Sequence, residues 1–237
     1  MTEDRPQSIL SHLVELRSRI IKVALALAVG SIVAFFFANQ LTAILERPYY
    51  EANPENNLVS LEAGEQLGVL MRVAFFGSLI LGSPVIFYQL WAFISPALTK
   101  QERKWVIPLV GVFVLLFVGG VLFGYTLLPQ ALRVLLNIFP DVQSDLRIGP
   151  YYSFVIRLML AFGVTFQFPV FLFGAAAAGV VSSRQLAQGR RWAILVIVIA
   201  AAVITPTGDP ITLAAMTIPL YLLYEMTLLA VKYLLRK

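Results

Sequence analysis

The chain has 237 residues, 59% of them hydrophobic and 13% charged, with a mean hydropathy of +0.82 and a formal net charge of +5. A soluble domain is nearer a quarter charged and less than half apolar, so this excess cannot be enclosed in one water-soluble core. The composition predicts a polytopic membrane protein. The lysines and arginines fall between apolar runs, so the basic excess reads as a topology signal rather than a nucleic-acid surface. Cysteine is absent, which excludes disulfides, thiol catalysis and thiolate metal sites, and the single histidine, His12, excludes a histidine cluster.

The N-terminal Met-Thr-Glu-Asp-Arg-Pro carries acids, and the apolar run after it is long and lacks a small-residue cleavage site. It is therefore expected to be retained as an anchor rather than removed as a signal peptide. Six apolar segments follow, at about 20–38, 67–94, 105–128, 151–178, 192–204 and 211–231. The first has about the 20 residues needed to cross ~30 Å of hydrocarbon. Pro84 lies inside the second and Pro169 inside the fourth, where each frees a backbone carbonyl and is expected to bend its helix. Pro108 falls in the first turn of the third, where it is harmless. The fifth, Trp192–Ile204, is short. At 1.5 Å per residue it spans only ~20 Å. The sixth, measured from the same turn to Glu225, also reads as short, and both predict local thinning of the bilayer.

Loop charges predict the orientation. With the N-terminus inside, the inner segments hold thirteen basic residues (Arg5, Arg17, Arg19, Lys22, Lys100, Arg103, Lys104, Arg184, Arg190, Arg191, Lys232, Arg236 and Lys237), and the outer loops hold three, Arg47, Arg133 and Arg147. This asymmetry predicts that both termini are cytoplasmic. Two outer loops, 39–66 and 129–150, are long enough to act or to cap something.

Two polar stretches carry the chemistry. In the cytoplasmic start, Ile9, Leu13, Leu16 and Ile20 share a helical face, while His12, Glu15 and Arg19 share another, with Glu15 and Arg19 spaced to pair. Between the second and third spans, the aromatic run Tyr88, Trp91, Phe93 leads through Ser95-Pro96 to Glu102, a lone acid among Lys100, Arg103 and Lys104. Inside the spans the main polar group is Gln167, whose amide needs a partner or a water-filled cavity at that depth.

The stretches His12-Leu-Val-Glu-Leu-Arg-Ser-Arg, Pro84-Val-Ile-Phe-Tyr-Gln-Leu-Trp-Ala-Phe-Ile-Ser-Pro-Ala-Leu and Glu102-Arg closely resemble the TatC family, the receptor subunit of the twin-arginine protein translocase. The likeness continues through Ala161-Phe-Gly-Val, Phe168-Pro-Val, Thr205-Pro, Ile218-Pro-Leu-Tyr and Tyr224-Glu and covers essentially the whole chain. The resemblance implies an all-α fold of six transmembrane helices, both termini inside, with a concave, glove-like wall and short fifth and sixth helices. It also implies a non-enzymatic receptor in the bacterial cytoplasmic membrane. Such a receptor binds the twin-arginine signal peptides of folded precursors, recruits TatA- and TatB-type single-span subunits and self-associates, with transport driven by the proton-motive force.

By that resemblance Glu15, Arg17 and Glu102 form the cytoplasmic patch for consecutive arginines, with Phe93 beside it. A guanidinium offers a planar fork that a carboxylate accepts at two points, which lysine cannot match. Gln167 matches a position carrying Glu or Gln that lines the membrane face for partner subunits; as Gln it cannot titrate. Its alternative role is an interhelical hydrogen bond that fixes packing. Pro48 and Asp209 match outer-face positions, Pro48 fixing the first outer loop and Asp209 suited to capping the sixth helix. Glu225 is expected to snorkel or to pair with Lys232. The competing class is a small-molecule secondary transporter, which also uses broken helices. The sequence shows few charges in its spans, no convincing inverted repeat, and neither a metal-ligand cluster, a nucleophile–base spacing nor a phosphate loop, so no cofactor and no enzyme is expected.

Overall fold

The computed structural model describes residues 9–54, 57–94, 106–137, 145–177, 179–204 and 210–235. Among these, all regular structure is helical apart from one isolated bridge between Val59 and Arg147. The helices are α1 (Ile9–Phe36), α2 (Ala38–Ala52), α3 (Glu65–Ile94), α4 (Val106–Leu136), α5 (Ile148–Thr165), α6 (Phe168–Ala177), α7 (Ser183–Gln188), α8 (Arg190–Ile204) and α9 (Pro210–Ala230), the last running into a π-helical turn, Val231–Leu235. Five stretches are long and apolar enough to cross a membrane: Leu13–Phe36, Glu65–Phe93, Ile107–Leu136, Ile148–Ala177 and Leu213–Tyr233. Large apolar side chains stand exposed along them, Ile107 and Leu115 among others, as expected of a bundle whose solvent is lipid.

Small residues set the close approaches. On α1 and α3, Gly30 lies against Ser78 and Gly77 against Ala34, which gives an antiparallel pair with Arg19 level with Gln89. Between α4 and α5, a Cβ on Gly120 would lie 2.7 Å from the Phe162 carbonyl oxygen, so only glycine permits that spacing. Aromatic rings tie α3, α4 and α6 together: Phe87 stacks on Phe113 at 5.2 Å, and Phe113 meets Phe171 edge-on at 5.6 Å.

Four features of the helices bear on the sequence expectations. First, α1 is one continuous helix from the amphipathic start to Phe36. Second, the first part of the 39–66 loop is helical, in α2 (Ala38–Ala52), with Pro48 buried inside it. A proline in a helix leaves the carbonyl four residues earlier without its donor. Here that carbonyl is Ile44, and the Tyr125 hydroxyl of α4 donates to it at 2.9 Å. Tyr151 donates to the Leu45 carbonyl (2.6 Å), and Tyr152 donates to the Glu46 carboxylate (2.7 Å) with the Thr42 carbonyl further off at 3.2 Å. Third, α3 runs unbroken through Pro84, because Ser83 donates its hydroxyl to the orphaned Ile80 carbonyl at 2.7 Å. Fourth, of the last two spans only α8 is short; α9, with 21 residues, reaches full length. The fourth span does break, at Phe166–Gln167, just before Pro169.

The two loops at the end of the bundle where α1 terminates, the distal end, are sewn together. Val59 N–H donates to the Leu146 carbonyl and Ile148 N–H to the Val59 carbonyl, each at 3.0 Å. Arg147 bridges Glu62 at 2.9 Å and Glu65 at 3.5 Å. Burial pushes the phenol of Tyr49, under this cap, above its ordinary range.

Candidate functional site

At the opposite, proximal end, where α1 begins, the Glu15 carboxylate accepts from Arg19 Nε at 3.2 Å and from Arg19 Nη2. Arg19 also reaches across to α3, donating Nη1 to the Gln89 side-chain oxygen at 3.4 Å. Glu15 retains 28% side-chain exposure, so its carboxylate is held in place yet open to solvent. The α1–α3 register sets Glu15 level with Phe93, one helical turn beyond Gln89 and half-buried. Arg17 is exposed. Glu102 and Asp209 lie outside the described residues. The i, i+4 pairing of Glu15 with Arg19 was legible; the contact with Gln89 was not, because it joins residues 70 positions apart.

A second ionic cluster at the proximal end corrects the reading of Glu225. Its partner is Arg190 of α8, which donates Nε at 2.7 Å and Nη2 at 2.9 Å, and Tyr221 adds its hydroxyl at 2.7 Å. Arg190 sits 35 residues earlier, so nothing local in the sequence pointed to it over Lys232.

Gln167 is 3% exposed at the α5–α6 break. Its Nε2 donates back to the Gly163 carbonyl, four residues earlier near the end of α5, at 3.2 Å, and its Oε1 is buried without a hydrogen-bond partner among the described residues. The bond is thus local to the end of α5 rather than between neighbouring helices. Pro84 is exposed, and Pro48 is among the most deeply buried side chains. An open cavity of about 970 Å³ lies toward the distal end between α3 and α5, with Val203 of α8 in its wall. No group of three or more His, Cys, Asp or Glu that could hold a metal occurs among the described residues.

An all-helical bundle with lipid-facing apolar surfaces, capped at one end and carrying a half-open carboxylate at the other, is a polytopic membrane protein. The family model for the Sec-independent protein translocase protein (TatC) matches residues 11–219. The Aquifex aeolicus protein named Sec-independent protein translocase protein TatC is 40% identical over 230 residues, covering 95% of each chain. Its namesake from Carboxydothermus hydrogenoformans is 33% identical, covering 98% of this chain and 96% of that one. A crystal structure of the twin-arginine translocase receptor TatC in DDM matches with a TM-score of 0.79 and 39% identity, covering 93% of this chain and 99% of that one. The chain belongs to the TatC family. It is accordingly a protein translocase component and not an enzyme, and the secondary-transporter alternative is not favoured.

Proposed function

We propose that this chain is the signal-peptide receptor and core subunit of a twin-arginine translocase. Glu15 and Glu102 accept the guanidinium forks of consecutive arginines, Arg17 orients the acids, and Phe93 packs against the apolar part of the signal. The observation that carries this reading is the carboxylate of Glu15, half-open and already gripping a guanidinium, level with the aromatic Phe93. Arg19 stands where a signal arginine would bind, so the site is preformed and the incoming guanidinium shares or replaces that partner. Family membership supports the same role, since a related structure carries the name twin-arginine translocase receptor.

In this reading both termini are cytoplasmic, the membrane is the bacterial inner membrane, and the bundle nucleates TatA- and TatB-type single-span subunits for export driven by the proton-motive force. Gln167, whose buried oxygen is unpaired at the α5–α6 break, is the polar point for a partner helix, which reaches it only when the packing around the break opens. The test compares binding of an Arg-Arg and a Lys-Lys signal peptide to the purified chain, with wild type, Glu15→Gln and Glu102→Ala side by side. Wild type is expected to prefer Arg-Arg by ten-fold or more, the worth of about one charge-assisted bidentate contact. Each variant should lose that preference. Equal binding of both peptides by wild type would leave the family membership intact and overturn the receptor role of these acids.

A further inference from the structure

Apart from the charge-rich first half of α1, the apolar spans carry two cations well away from their ends, Arg72 in α3 and Arg157 in α5. A guanidinium inside a span is costly and is retained when something there needs it. Both line the same open cavity. Arg72 donates Nη1 to the Ser153 hydroxyl at 2.9 Å and to the Gly149 carbonyl at 3.2 Å, neither of which is charged. Arg157 makes no hydrogen bond or ion pair among the described residues. The carboxylates at the rim are already engaged: Glu62 by Arg147, and Glu65 by Arg147 and the N–H groups of Leu61 and Gly149. The cavity interior therefore carries two positive charges that no described acid neutralises.

Depth and surroundings indicate what neutralises them. Arg72 is seven residues and Arg157 nine residues from the distal start of its helix, or about 10 and 14 Å along the axis. Beyond them the walls turn apolar, with Leu158, Ala161 and Val203. Val203 is 80% exposed, so the cavity meets the surface that faces lipid. It stands on α8, whose 15 residues cover only about 22 Å. A bilayer drawn down to meet so short a helix brings its headgroups inward, toward the level of the two arginines. An anionic head on a hydrocarbon tail fits this sequence of charges and walls, whereas a free anion has no use for the apolar floor.

We propose that Arg72 and Arg157 bind the phosphate of an anionic phospholipid from the distal leaflet, its acyl chain lying along Leu158, Ala161 and Val203. The proposal is independent of signal-peptide binding at the other end of the bundle. The test is native mass spectrometry of the full chain in detergent, with phosphatidylglycerol or phosphatidylcholine added at equal concentration. Arg157→Gln removes no contact within the described fold and is expected to lower phosphatidylglycerol occupancy about five-fold, with Arg72→Gln/Arg157→Gln lower again. Arg157→Lys, which keeps the charge without the fork, should fall between. Arg47→Gln, which deletes an exposed charge on α2, should match wild type. Wild-type occupancy in Arg157→Gln, an equal loss in Arg47→Gln, or no preference for phosphatidylglycerol would each overturn the proposal. Displacement of the lipid by millimolar inorganic phosphate would also overturn it, since the site would then take any phosphate.

Discussion

Ser83 and Pro84 illustrate how single side chains decide whether a span survives its own sequence. Pro84 has no N–H to give the Ile80 carbonyl, and in a hydrocarbon setting an orphaned carbonyl costs free energy that water cannot return. The Ser83 hydroxyl, 1% exposed, supplies the missing donor. Ser83→Ala should therefore destabilise the protein by about 1–2 kcal/mol, read as a lowered unfolding midpoint in detergent. Ser83→Ala/Pro84→Ala restores the backbone donor and should recover most of that loss. If the double variant is no more stable than Ser83→Ala, the carbonyl is not what Ser83 serves. Glu15 is the opposite case at the same scale: its partner Arg19 was readable from spacing, because one turn of helix brings the two together whatever the tertiary fold.

At the scale of elements, the α4–α5 pair offers an internal control in two adjacent glycines. A Cβ on Gly119 meets nothing within 4 Å, whereas one on Gly120 would meet the Phe162 carbonyl oxygen, the Gly163 Cα and the Phe166 ring, all below 3 Å. Gly119→Ala should be neutral or raise stability by about 0.5–1 kcal/mol through better helix propensity. Gly120→Ala forces α4 and α5 apart and should cost about 1–3 kcal/mol. Unfolding of the two variants in the same detergent checks the contrast, and similar midpoints would mean that the helices separate at no cost. Helix α2 depends on neighbours in another way. Its proline and polar residues read as loop, and what holds it is the trio of phenols from α4 and α5 bonded to its Ile44 and Leu45 carbonyls and its Glu46 carboxylate.

For the whole molecule, the expectations concern orientation and membrane thickness. Cysteine is absent from the chain, so a single introduced cysteine reports its own position. At Arg17 it should react with a membrane-impermeant maleimide only from the cytoplasmic side, and at Glu62 only from the outside, as the thirteen-to-three charge asymmetry requires. The reverse pattern would invert the topology. If α8 thins the bilayer, a cysteine at Val203 should label faster than one at Leu115, although both side chains are largely exposed, at 80% and 74%. Equal slow rates would mean that the membrane keeps its thickness beside α8.

The sequence alone determined the class, the family and most of the long apolar helices, because hydrocarbon imposes a local rule: enough consecutive apolar residues to cross it, with backbone bonds closed within each helix. It determined the Glu15–Arg19 pair for the same local reason. Tertiary structure decided whatever depends on residues far apart in the chain. It turned 38–52 into a helix by supplying donors from α4 and α5, and it paired Glu225 with Arg190. It also gathered Arg72 and Arg157 around one cavity. Gln167 stands between the two cases. Its polarity within a span was visible in the sequence, but only the break before Pro169 and the packing around it leave its oxygen buried and unpaired among the described residues.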